Sequence, residues 1–166
     1  MSSQHEKFMT MAIEEARNAL KAGERPFGSV IIREGEVIAR GYNVVNSTQD
    51  PTAHAEVETI RKAAAKLKNS RLTGCTLYTS CHPCPMCSGA TLYAGLEAIV
   101  IGATHEAVSR HSGGKYDLKD YSFGRLLELT GLKLEIITGV LQEEAEGVFR
   151  EFKDWDAASP AAPEPK

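Results

Sequence analysis

The stretches Asp50-Pro51-Thr52-Ala53-His54-Ala55-Glu56 and Pro83-Cys84-Pro85-Met86-Cys87 decide how the rest of this 166-residue chain is read. Between them they offer one imidazole, two thiols and one carboxylate. His54, Cys84 and Cys87 are N/S donors of the kind that hold Zn²⁺. Three protein ligands leave the fourth tetrahedral position open, which is the arrangement of a catalytic zinc; a structural zinc closes all four. Zinc lowers the pKa of its water to ~7. Glu56, a carboxylate outside the ligand set, is then the candidate proton carrier.

The spacing places both stretches at helix starts. Pro83 ends an extended run and turns the chain. Cys84 then falls at the start of a helix, with Pro85 tolerated in the first turn and Cys87 three residues on along the same face. Free N–H groups at that end favour the thiolate, the ligating form. His54 and Glu56 are two apart and would diverge in mid-helix. They converge only near a helix start, for which Asp50-Pro51-Thr52 supplies the signal. A zinc that merely staples the fold would need a fourth ligand, for which Cys81 and His82 are the candidates. Cys81 closes a strand-like run that should aim it away.

Working outward, residues 5–22 carry an apolar stripe through Phe8, Ala16, Ala19 and Leu20 and read as an amphipathic helix stopped by Gly23. Residues 28–33 and 36–43 read as strands joined by a tight Glu34-Gly35 turn. Residues 44–51 read as a polar loop and 54–68 as a helix. A strand over 75–80, a helix over 84–95 and a buried strand over 98–102 follow. Residues 104–123 are irregular and glycine-containing, a candidate pocket wall or lid whose histidines are surface residues by default. A short helix from Phe123, a strand over 133–137 and a helix over 142–155 complete one domain, residues 1–156. The Ala/Pro-rich tail, 157–166, reads as disordered. Strands separated by helices after an opening hairpin imply a mixed sheet covered on both faces. Both motif helices open at one rim, where open α/β sheets place their sites. Phe27, at a strand entrance, is a pocket or core residue. Asn43, at a strand end, is a turn residue or a substrate ligand.

A hydrophobic fraction of 42% and a charged fraction of 25% are those of an ordinary globular protein. A net charge of −3 and a pI near 6.0 argue against a chain whose main business is a nucleic-acid backbone. No signal peptide and no membrane-length apolar run are evident, so a cytoplasmic protein is expected. There the cysteines serve metal ligation better than disulfides. Cys75 reads as a small buried hydrophobe.

The chain resembles the cytidine/deoxycytidylate deaminase superfamily, most of all the branch holding guanine deaminase, cytosine deaminase and tRNA adenosine deaminase. The resemblance spans about residues 5–155. It is carried by His-x-Glu followed by Pro-Cys-x-x-Cys, together with Pro26-Phe27-Gly28, Gly41-Tyr42-Asn43 and Leu77-Tyr78-Thr79-Ser80. It implies a three-layer α/β/α sandwich with a mixed five-stranded sheet, and a homodimer. It also implies Zn²⁺ on His54, Cys84 and Cys87, proton transfer by Glu56, and a hydrogen bond from Asn43 to the base. Trp155 is similar to a terminal aromatic that closes the pocket in cytosine deaminase, or is a core residue. The implied reaction is hydrolytic deamination of a free small-molecule nucleobase, guanine first and cytosine or another aminated heterocycle next. A tRNA adenosine deaminase and a non-catalytic zinc protein are the rivals. The chain departs from its relatives at His82, where many have Glu, and over 104–123. In that segment Asp117 and Asp120 are only loose counterparts of a guanine deaminase aspartate pair.

Overall fold

Alternation decides the layers. In the computed structural model, which describes residues 2–155, Val30, Ile32, Tyr78 and Val100 point to one face of a sheet, and Ile31, Leu77, Ile99 and Ile101 to the other. The strands are β1 (Gly28–Arg33), β2 (Glu36–Tyr42), β3 (Cys75–Cys81), β4 (Ala98–Ala103) and β5 (Glu135–Thr138). They lie in the order β2-β1-β3-β4-β5. The β1–β2 and β1–β3 pairs are antiparallel, and β3–β4 and β4–β5 are parallel. Glu34 and Gly35 both take positive φ (52° and 80°), as a two-residue hairpin turn of matching twist requires.

One face is covered by α1 (Ser2–Lys21), α5 (His105–His111) and α7 (Gln142–Glu151), which bury Phe8, Met9, Ala12, Val108, Val148 and Phe149 against it. The other is covered by α3 (Ala55–Leu67), α4 (Pro85–Ala94) and α6 (Phe123–Thr130) through Ala63, Ala94 and Phe123. The expected three-layer sandwich with a five-stranded mixed sheet is therefore present. No described helix is long and apolar enough to cross a membrane.

Several elements differ from the sequence reading. The loop after Asn43 contains a one-turn helix, α2 (Val45–Thr48). Its first N–H groups are taken by the Glu24 carboxylate, to which Asn46 N and Ser47 N donate at 3.0 and 2.6 Å. This cap comes from 22 residues away and no local pattern announces it. Part of the segment read as irregular is helix α5, capped locally by the Thr104 side chain, which accepts from Ala107 N. The last strand begins two residues late, at Glu135. α7 ends at Glu151, because Phe152 turns extended (φ −84°, ψ 123°) and carries Trp155 back toward the sheet. The Ala/Pro-rich tail lies outside the described residues.

Gly28 shows how closely the layers approach. A Cβ there would sit 2.2 Å from Ala16 N and 2.3 Å from Ala12 O, both backbone atoms of α1. Helix and strand would have to separate, so Gly28→Ala is expected to destabilise the fold by about 3 kcal/mol, the upper end for overpacking. A urea unfolding midpoint unchanged from the parent would refute that packing.

Candidate active site

Two helix starts meet beyond the carboxyl end of β3. His54 is the N-cap of α3 and Cys84 the N-cap of α4, each with extended backbone (ψ 156° and 168°), and Pro85 occupies the first turn of α4. The extended cap turns each side chain inward from the helix mouth. His54 Nδ1 lies 3.6 Å from Cys84 Sγ and 3.5 Å from Cys87 Sγ. All three ligand atoms lie within 4.8 Å of one another, and they form the one such group among the described residues.

This donor set fits zinc. Zn–S and Zn–N bonds meeting at a tetrahedral angle set sulfur and nitrogen about 3.6 Å apart. The spacing is thus already that of ligands sharing one ion. Cys81, the candidate fourth ligand, is buried on the cavity wall, with its Sγ 4.0 Å from the Thr104 carbonyl. His82 turns Nδ1 toward the Pro83 carbonyl at 3.1 Å. Neither belongs to the group that could hold a metal.

The electrostatics are those of closely packed, largely buried donors. A hydrogen bond from the Cys87 thiol, opposed by burial and helped by His54, brings Cys84 down to about 4. The same hydrogen bond, together with burial, pushes Cys87 well up. Burial pulls His54 down, but the hydrogen bond and charge of Cys84 and the charge of Glu56 outweigh it and leave it raised. Glu56 is 6% exposed. Burial first, and the Cys84 charge second, raise its carboxyl.

Thr79 supports that carboxyl. Its hydroxyl lies 3.1 Å from Glu56 Oε1 and 3.0 Å from the Cys81 carbonyl. One hydroxyl proton serves one acceptor at a time. It can donate to an ionised Glu56, or turn to the carbonyl and accept from a protonated one, so both states of Glu56 keep a partner.

A cavity opens onto this group, lined by His54, Glu56, Cys84, Asn43, Phe27, Arg25, Cys81, His82, His105, Val108 and Tyr116. Together with the open space at its mouth it encloses about 490 Å³. Asn43 is 1% exposed. Its backbone N–H donates to the Phe27 carbonyl at 3.1 Å, and its Oδ1 accepts from Val45 N at 3.2 Å. Its buried Nδ2 has no partner among the described residues. The orientation is fixed by the occupied oxygen, which leaves the amide as a donor at the cavity wall.

Phe27 lines the cavity, whereas Trp155 does not. Trp155 is buried one layer behind, with its ring 5.6 Å from Tyr116, 6.4 Å from Phe27 and 4.9 Å from Phe152. It shapes the wall through those neighbours. Asp117 and Asp120 are exposed and outside the cavity, and Asp117 pairs with Lys119 at 2.6 Å. His105, read as a surface residue, is half-buried on the wall, its ring 6.2 Å from that of His82.

Arg25, Val108 and Tyr116 were not legible as wall residues. The only local hint at Arg25 was its place immediately before Pro26-Phe27, where proline holds the chain extended.

Comparison with known proteins agrees with this geometry. The cytidine and deoxycytidylate deaminase zinc-binding region matches residues 2–103. The chain is 37% identical over 155 residues to a tRNA-specific adenosine deaminase of Bacillus subtilis (strain 168), covering 90% of this chain and 89% of that protein. It is 48% identical over 102 residues to a guanine deaminase of the same organism, covering 61% of this chain and 65% of that one. A solved guanine deaminase from Nitrosomonas europaea superposes with a TM-score of 0.78 at 28% identity, over 92% of this chain and 84% of that one.

Proposed function

The chain belongs to the zinc-binding cytidine and deoxycytidylate deaminase family, and from that premise we propose that it hydrolyses the amino group of a free nucleobase, guanine first, releasing ammonia. Zinc held by His54, Cys84 and Cys87 would supply a water acidified to near neutral pH. Everything else falls to the chain's own side chains. Glu56 takes the water's first proton at Oε2, the oxygen away from Thr79, and gives it to the ring nitrogen; it then takes the second from the hydroxyl now on the base carbon and gives it to the departing amine, which leaves as ammonia. Burial, which raises the Glu56 carboxyl, steadies each proton there between its uptake and its release. The Asn43 amide donates to a ring or carbonyl acceptor of the base, and Phe27 and Tyr116 give it apolar walls.

The observation that carries a free base over a tRNA is the charge at the mouth. The depression adjoining the cavity at His105 holds Arg110 and Lys119, and each is paired, Arg110 with Glu146 at 2.9 Å and Lys119 with Asp117 at 2.6 Å. Glu106 stands among them, and the whole chain carries −3. Phosphate tracks are built instead from surplus lysine and arginine. The tRNA adenosine deaminase reading stays as the second, favoured by similarity over 90% of the chain. In the preferred reading the protein is cytoplasmic and a homodimer. Met86 and Tyr93, both exposed on α4 and the latter by 86%, support a partner surface there.

Ammonia release from guanine, cytosine, adenine, their nucleosides and small aminated heterocycles, run beside inosine formation in tRNA, separates the readings. Guanine is expected to turn over at least about tenfold faster than the other free bases, a one-group discrimination. Inosine formed in tRNA, with no free base turned over, would reverse the choice.

A further inference from the structure

Arg25 stands on the cavity wall with no paired carboxylate among the described residues. Its Nε is buried and has no hydrogen-bond partner among the described residues. Its guanidinium carbon lies 5.8 Å from the centroid of the Tyr116 ring, which holds the cation against an aromatic face. Among the described residues no carboxylate pairs with it. The adjacent Glu24 is committed elsewhere, its two oxygens accepting from Asn46 N and Ser47 N. A buried donor on a permanent cation is costly to leave unmade and rare in native proteins. The cost disappears if the partner arrives with the ligand.

We propose that Arg25 reads the oxo/imidazole-nitrogen edge of a 6-oxopurine and so sets the preference for guanine over adenine at this site. The inference rests on the free-base reading and adds its specificity determinant. Arginine presents parallel N–H groups in a rigid fork, and the adjacent O6 and N7 of guanine are the pair of acceptors that fork matches best. In guanine the carbon bearing the amino group and the O6/N7 edge lie on different sides of the bicyclic ring. With that carbon beside Glu56, the edge is turned away from Glu56 and is left for another side chain of the same cavity wall, to which Arg25 belongs. In adenine the reacting amino group itself occupies the O6 position. Adenine with its reacting carbon beside Glu56 has no two adjacent acceptors left for the fork.

The test uses the zinc-loaded full chain and the variants Arg25→Gln and Arg25→Lys, the second keeping the charge but losing the fork. Guanine kcat/KM is expected to fall about 10- to 100-fold in both, mainly through KM. With 7-deazaguanine, which lacks the N7 acceptor, wild type and variants should differ less than about threefold. Hypoxanthine, which has the same edge and no amino group to lose, should bind the variants about 10- to 100-fold more weakly by calorimetry. If guanine is turned over and neither variant changes its kcat/KM, the assignment of Arg25 is overturned. If guanine is not turned over but hypoxanthine binding still depends on Arg25, the guanine activity fails and the edge-reading role stands. Equal hypoxanthine affinity in all three proteins overturns that role whatever the turnover.

Discussion

Glu56→Gln is expected to lower turnover of the preferred base on the order of 10²- to 10⁴-fold while leaving about one zinc per chain. The carboxyl is buried, is raised by that burial and by the Cys84 charge, and has one oxygen held by the Thr79 hydroxyl. Glutamine fills the same volume and keeps an acceptor for Thr79, but it cannot carry a proton. Folding should therefore be preserved or slightly improved, since a buried ionisable group is replaced by a neutral one. Ammonia release and metal content, measured on one preparation, check both halves. Turnover within a few-fold of wild type, at full zinc occupancy, would remove Glu56 from the proton path.

The second large effect is at the ligands. Cys87 is fully buried, and His54 and Cys84 close on it from two different helices. Cys87→Ser and His54→Ala should lose nearly all bound zinc and with it nearly all activity, on the order of 10³-fold or more given what an acidified water contributes. Chelator-treated wild type should recover on adding zinc, and the variants should not. The two hydrophobic layers stay intact without the ion. The unfolding transition should thus move down but persist, unlike that of a small zinc finger, whose metal supplies its whole folding energy. Wild-type zinc content in either variant would contradict the ligand set.

The parts of the site that sequence revealed are those whose chemistry depends on near neighbours. His54, Glu56, Cys84 and Cys87 lie at helix starts, and proline, threonine and aspartate nearby mark such starts without reference to the rest of the fold. The strands read over 28–33 and 98–102 were legible for the same reason. The cavity wall was not. Arg25 reaches it on the link from α1 to β1, whose course is set where Gly28 lets β1 touch the α1 backbone at Ala12 and Ala16. Tyr116 reaches it from a turn ninety residues later. α2 exists because Glu24 caps it from across the loop. The helix within 104–123 was hidden by its shortness, although Thr104 followed by Glu106 is a start signal that could have been weighed. Trp155 was placed at a helix end on periodicity alone, but packing against Phe27 and Phe152 pulled it out of the helix.

The most direct measurement is the electronic spectrum of the cobalt-substituted protein, recorded before and after adding a base. Three protein ligands with an open position predict sulfur-to-metal charge transfer from two thiolates and ligand-field bands of a four-coordinate ion that shift when the base arrives. Charge transfer from a third thiolate, or bands that respond neither to a base nor to any small exogenous ligand, would mean the ion is enclosed by protein and the open-site account is wrong.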